Sequence, residues 1–434
     1  VPDRTLYDKE VKFLGILSCL TAGLLVAQPA ADPAATARKA LDSLLGARYS
    51  ELTPVFTPDM QKAFPDSEMA KLGAQIKSFG AAGRISSPTT TAAGANTIVV
   101  IPVQFASQAI NFRFIVNGKG LIAGMFMIPG SAPWQRPSYS NPASFHERSV
   151  TIGDDEWKLP GTLTLPNGSG PFPAVVLVHG SGPSDRDETI GGTKMFKDLA
   201  EGLASRGIAV LRYDKRTFVY APKIRGIGDF TLNDETVDDA VRALALLRTE
   251  PEVNPQKVFL LAHSLGGYAA PRIAAEDGKL AGVIVMAGNA RPVEDLMIDQ
   301  AVYLKLPAAD IEGIKTQAKR IKALEAADTD APALLGAPPS YWLDLKEYDP
   351  VAAAKKVPAP MLFLQGGRDF QVTSKDLELW KAGLGNRKDV TFQVLAALNH
   401  LFVAGEGPST EAEYRKPGHV DAGAVETIAN WIKR

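Results

Sequence analysis

The feature that most constrains this chain is a series of short, unbroken apolar runs in its second half. They read PAVVLVHG, IAVLRYD, KVFLLAHS, AGVIVMAG and APMLFLQGGRD, each ending in glycine or polar residues. A strand with one face in water alternates apolar and polar side chains. An unbroken run instead marks a strand covered on both faces, as in a parallel sheet between two helix layers. Parallel neighbours need crossovers, and helix-patterned stretches such as FKDLAEGLASRG and NDETVDDAVRALALLRTE, with Asn233 or Asp234 as a cap, supply them. Residues 145–434 therefore predict a doubly wound, mostly parallel α/β domain whose reactive groups gather at the carboxyl ends of the strands.

A chain of 434 residues has room for a second domain. Residues 33–130 begin with helical spacing (AATARKALDSLLG, DSEMAKLGAQIKSF) and continue as short β-branched and aromatic runs, with Asn117-Gly118 as a hairpin tip. This predicts a small α+β domain, joined through a Pro- and Ser-rich linker at 131–144. Between AGVIVMAG and APMLFLQGG the chain is longer than a crossover requires, so residues 290–350 read as an inserted helical cap.

Charge excludes some partners. With 47 basic and 48 acidic residues the net charge is -1, which gives no pull toward nucleic acid or an anionic surface. The apolar segment FLGILSCLTAGLLV, residues 13–26, follows Lys9 and Lys12 and runs into small residues and prolines. It is too short to span a bilayer, which takes roughly 20 residues, and it has the grammar of a signal peptide over residues 1–27. Export to the periplasm or the medium is the expectation, with no stable membrane span. Cys19 is the only cysteine, so a chain cut after Ala27 would contain no disulfide and no cysteine nucleophile. Five histidines without HExxH or paired CxxC spacing predict no metal site, and no cofactor is expected.

The chemistry centres on FLLAHSLGGYAAP, residues 259–271, where strand, turn and helix follow one another around Ser264. That is the context of a G-x-S-x-G nucleophile turn, except that Ala262 replaces the first glycine. By itself the pentapeptide reads better as a serine capping a helix in a glycine-rich turn. A nucleophilic serine needs a base and an orienting acid. His146 precedes the sheet, His179 belongs to the first strand-end loop, and His263 adjoins the serine and points away from its hydroxyl. His400 and His419 are left. His400 follows an apolar run and sits in a loop, whereas His419 reads as the cap of the last helix. The acid is Asp369, directly after a strand and Gly366-Gly367, with Asp376 as the alternative that opens a helix. The loop HGSGP after the first buried run can present the Ser181 N–H to an oxyanion, beside the N–H of Leu265. Asp185, Arg186 and Asp187 read as a surface charge cluster. Tyr341 and Trp342 in the cap are candidates to line the substrate pocket, or to pack cap against sheet.

Together HGSGP, LRYDKR, AHSLGG, LQGGRD and the late NH resemble the α/β-hydrolase superfamily over residues 145–434. HGSGPSDRDET with RYDKRT and a helical cap is similar to bacterial serine esterases of the serine aminopeptidase-like branch, several of which carry a small domain of unknown function in front. The resemblance implies hydrolysis of small carboxylic esters, typically of short acyl chains, through Ser264, His400 and Asp369. A peptidase or amidase of the prolyl peptidase type using the same triad is the alternative. A binding role is a separate expectation for residues 33–130, and no oligomeric state is assigned.

Overall fold

The computed structural model describes residues 32–434 apart from 94, 107–108, 131–133, 154–155, 225–226 and 330. The signal segment read at 1–27 lies outside the described residues. The chain divides into two compact units, which meet in sequence between Trp134 and Gln135.

In the first unit the helix Pro33–Leu45 begins at Asp32, whose carboxylate accepts the Ala34 N–H, with proline at the position where a missing N–H costs nothing. Helices Pro58–Ala63 and Asp66–Ser78 follow, then a 5-stranded antiparallel sheet. Val99, Ile101, Val103, Phe112, Phe114 and Val116 alternate onto one face and pack with Ala37, Leu41 and Leu44 of the first helix. The hairpin at Asn117 is a longer loop than the two-residue tip its sequence suggested. The Asn117 side chain accepts the N–H groups of Lys119 and Leu121, both at 3.0 Å, and Gly120 rather than Gly118 takes the positive φ of 74°.

The second unit claims much of the stretch read as a linker. Arg136 and Ser140 both donate to the buried Glu201 carboxylate, at 2.6 and 2.7 Å, and the Tyr139 hydroxyl donates to Val420 O at 2.8 Å. Residues 135–144 are thus fixed to this unit by partners far along the chain, which composition could not reveal.

The strands of this unit's main sheet are β1 (Phe145–Ile152), β2 (Leu159–Pro166), β3 (Phe172–Val178), β4 (Ala209–Tyr213), β5 (Val253–His263), β6 (Gly282–Met286), β7 (Met361–Gly366) and β8 (Val390–Leu395). They form one 8-stranded sheet in the order β1-β2-β4-β3-β5-β6-β7-β8. β2 is antiparallel to both neighbours, and every other pairing is parallel. The unbroken apolar runs have the predicted cause. Val176, Val178, Leu260 and Ala262 enter the core on one face, while Val175, Leu177, Phe259 and Leu261 enter the core on the other. Each such Val or Leu contributes about 1.5–3 kcal/mol by leaving water. Strand order reverses beside β3, so the loops after β3 and β5 open at the crevice where doubly wound sheets place their sites. Helices Val293–Tyr303, Ala308–Ala323 and Pro339–Lys346 lie between β6 and β7.

Candidate active site

Ser264 is the single residue between β5 and the helix Leu265–Asp277, with φ 54° and ψ -118°. A non-glycine residue in that region costs of order 1–3 kcal/mol and persists only where its surroundings over-determine it. Here the Ser264 N–H donates to Met286 O at 2.9 Å and Ser264 O accepts from the Tyr268 N–H at 3.1 Å. Close backbone approach explains the glycines that follow. A Cβ at Gly266 would lie 2.5 Å from His179 O, and one at Gly267 would lie 2.7 Å from Gly288 Cα. Ala262 stands differently. It is fully buried in β5, opposite Val178 and Val285, and its methyl is part of the core.

Asp369 and His400 are brought together. Asp369 Oδ2 lies 2.8 Å from His400 Nδ1 and accepts from Gln365 Nε2 at 3.1 Å, while Oδ1 accepts the N–H groups of Gln371 and Val372 at 2.8 and 3.0 Å. A carboxylate so filled has one orientation, and it fixes the imidazole tautomer with its hydrogen on Nδ1. The His400 loop is tied by Asn399, whose side chain accepts from Leu401 N and Val403 N. His400 Nε2 is left without a hydrogen-bond partner among the described residues, as is Ser264 Oγ.

The alternatives go elsewhere. His419 Nδ1 sits 3.2 Å from both carboxylate oxygens of Asp198. Asp376 stands in the first turn of the helix Ser374–Leu384, as expected. It is fully buried, takes the Arg291 guanidinium at 2.9 Å and accepts the N–H groups of Ala290 and Arg291. His179 is wedged against Phe196 and Tyr213, and burial pushes it down to about 4, so it is neutral.

The loop after β3 comes up beside the serine: a Cβ on Gly180 would stand 3.0 Å from Ser264 Cβ. Glu188 Oε1 accepts the Gly180 N–H at 2.7 Å and lies 3.1 Å from His263 Nδ1, and Lys215 Nζ donates to Gly180 O at 2.8 Å. Ser181, Ser264, Leu265 and Tyr341 line one small cavity of about 70 Å³. The cap contributes Val293, Leu296, Met297 and Gln300 to it, and the Asp369 loop contributes Gln371 and Val372.

Trp342 does not reach this cavity. Its Nε1 donates to Leu334 O at 2.7 Å and its ring lines a separate cavity of about 540 Å³ with Tyr268, Glu294, Ile321 and Tyr348. Successive helix residues point about 100° apart, and here Tyr341 lines the small cavity and Trp342 the larger one. The lining of the larger cavity includes none of Ser264, Asp369 and His400.

The charges read as a surface cluster are partly buried: Arg186 and Asp187 are ion-paired, and Asp185 accepts from the Thr189 N–H and hydroxyl at 2.9 and 2.7 Å. Arg186 binds Asp214 at 2.7 Å, and Asp187 binds Arg212 and Lys194. Burial opposes the charge on Asp187, and the two cations overcome it and hold the carboxyl below its usual range. Every charged residue of RYDKR ends in such a pair, with Lys215 on Glu235 and Arg216 on Asp239. Sequence reasoning missed Glu188, Lys215 and Glu235. The signal available was a density of charge unusual beside buried strands.

Residues 175–411 match the alpha/beta hydrolase family. Esterase EstD of Thermotoga maritima is 43% identical over 333 residues, which covers 76% of this chain and 78% of that protein. The quorum-quenching protein AidA of Acinetobacter baumannii is 24% identical over 254 residues, 52% of this chain and 80% of its own. Among solved structures, the acylaminoacyl peptidase of Pyrococcus horikoshii aligns with a TM-score of 0.47 at 12% identity, covering 82% of this chain and 56% of its own.

Proposed function

The chain belongs to the alpha/beta hydrolase family, and from that premise we propose that it is a serine carboxylesterase acting on small esters of short acyl chains. The observation that carries the reading is the Asp369–His400 pair at 2.8 Å, on loops that end beside a serine held at φ 54°. Ser264 Oγ attacks the ester carbonyl while His400 Nε2 takes its proton, and Asp369 stabilises the imidazolium that forms. The N–H groups of Ser181 and Leu265 receive the oxyanion. Leu265 is the first residue of its helix, so its N–H has no intrahelical acceptor. His400 then protonates the departing alcohol. Water, activated by the same nitrogen, attacks the acyl-enzyme and releases the acid. Ser264 Oγ and His400 Nε2 make no hydrogen bond to each other among the described residues, and such catalytic bonds commonly tighten only in the substrate complex.

Short acyl specificity is supported by the volume over Ser264. The cavity there is small, about 70 Å³, and walled by Leu296, Met297 and Val372, which favours short acyl groups. Export is part of the proposal on the strength of residues 1–27 alone.

The test is Ser264→Ala assayed on 4-nitrophenyl esters of rising acyl length. The expected loss is about 10³-fold or more in kcat, with wild-type kcat/KM falling beyond short acyl groups. Undiminished turnover by the variant removes the serine assignment. Faster cleavage of aminoacyl anilides than of esters turns the enzyme into an amidase.

A further inference from the structure

Lys215 at the end of β4 is buried, and its ammonium makes two bonds of different kinds. It donates to Glu235 Oε1 at 2.6 Å and to the backbone oxygen of Gly180 at 2.8 Å. Glu235 Oε2 in turn accepts from the Tyr341 hydroxyl at 2.6 Å. Lys215, Glu235 and Tyr341 are 2%, 0% and 1% exposed, so water competes for none of these bonds. Glu235 sits in a single wide π-helical turn, Asn233–Val237, a distortion that recurs where a side chain must be aimed for function.

The Gly180 oxygen belongs to the same planar unit as the Ser181 N–H. In a trans peptide the two point in opposite directions across one rigid plane. Whatever fixes the Gly180 C=O therefore aims the Ser181 N–H, and that N–H has no acceptor among the described residues. The preceding N–H of Gly180 is held by Glu188 at 2.7 Å, so the glycine is gripped on both sides. An ion pair serving stability alone would be complete between Lys215 and Glu235. The bond to Gly180 O couples it to the loop beside the serine.

We infer that Lys215 is the positioning residue of the oxyanion hole: its ammonium orients the Gly180–Ser181 peptide and, by drawing electron density onto the carbonyl oxygen, strengthens the Ser181 N–H as a donor to the tetrahedral oxyanion. The inference rests on the proposed attack by Ser264. Preorganised donors act on charge that develops in the transition state, so Lys215 governs kcat more than substrate binding. Burial alone would push Glu235 up, and the Lys215 charge with the two hydrogen bonds brings it below its usual range, so the anion that seats Lys215 persists at neutral pH. Tyr341 also lines the cavity over Ser264, so the same chain of bonds runs from the acyl pocket to the oxyanion loop.

The double variant Lys215→Met/Glu235→Gln replaces the pair with neutral groups of similar size and leaves no buried charge unpaired. The expected result is a fall of about 10- to 100-fold in kcat with KM within about threefold. Affinity for a trifluoromethyl ketone, whose adduct on Ser264 carries the oxyanion, falls by the same factor as kcat. Unchanged kcat and ketone affinity, or an equal loss of ketone and substrate affinity, overturns the inference. If the double variant does not fold, Glu235→Gln, which keeps Lys215 but loosens its seat, reads the same ratio with a smaller loss, and an unmoved ratio again overturns it. Failure of the underlying reading is distinguishable, because wild-type enzyme would then form no ketone adduct at Ser264.

Discussion

His400 with Asp369 and His263 with Glu188 are the same chemical pair, set ring against ring at 4.7 Å behind the serine, yet only one of them has a nitrogen to spare. Asp369 takes His400 Nδ1 and leaves Nε2 open. His263 places Nδ1 on Glu188 at 3.1 Å and Nε2 on the His400 backbone oxygen at 3.0 Å. A carbonyl oxygen only accepts and an ionised carboxylate only accepts, so both nitrogens of His263 carry hydrogens and neither can take a proton. Proximity to a carboxylate thus does not make a histidine a base; an uncommitted lone pair does. The second pair acts as a strut, with Glu188 also holding Gly180 N and His263 holding the loop of His400.

The largest effect separates base from strut. His400→Ala should lower kcat by about 10⁴-fold or more, since it removes proton transfer from both half-reactions. His263→Asn should lower it by about 10- to 100-fold, the scale of a displaced catalytic group. Steady-state kinetics on a nitrophenyl ester reads both. Equal losses, or a greater loss at His263, would reverse the roles assigned to the two rings.

The strut should also write its charge into the pH dependence of stability. Burial opposes ionisation of both groups, and their mutual attraction wins, leaving Glu188 below its usual range and His263 above. For His263 the raised value means stability is fully present below about pH 6.5 and is lost as pH climbs through the folded value. For Glu188 the lowered value means stability is present above about pH 4.5 and is lost as pH falls through the folded value. Urea unfolding of wild type should therefore be steadiest between these limits. In Glu188→Gln only the weaker pull of the Asp369 carboxylate is left to offset the burial of His263. The slope near pH 6 should then reverse, stability falling as pH drops, with a deficit of about 1–3 kcal/mol. A variant that follows the wild-type profile would mean the pair is not ionised.

How much of this was legible depends on whether the signal is local. The sheet was readable because each buried strand announces both its covered faces in its own residues. That Asp369 and His400 would meet could be read because the proposed triad constrains chain order and loop context. The Glu188–His263 strut was not, since its partners are 75 residues apart and the same HS dipeptide serves many turns. His263 was expected only to point away from the serine, which it does without revealing why. Trp342 lines a cavity other than the one over Ser264, a separation between helix neighbours that sequence alone does not show. The charges of PSDRDE looked like surface because Arg186 finds Asp214 in the loop after β4 and Asp187 finds Arg212 on β4, close only after folding.

Ala262, the residue before the strut, gives the smallest and most exacting test of what holds the nucleophile turn. If His263 is fixed through its ring and Ser264 through its bonds to Met286 and Tyr268, the methyl of Ala262 contributes packing rather than aim. Ala262→Gly should then cost about 1–2 kcal/mol, from one lost buried methyl and the added freedom of glycine in a strand. It should leave kcat within about threefold, well inside the range of a misplaced catalytic group. The contrast with Gly266 makes the point physical. There an added methyl would lie 2.5 Å from His179 O, against backbone that cannot yield, whereas at position 262 the methyl already fits between Val178 and Val285. A thermal midpoint lowered by a few degrees with kcat preserved would place the constraint in the strut. A larger fall in kcat than in stability would show that the turn leans on β5 through Ala262, and that the first position of the motif aims the serine after all.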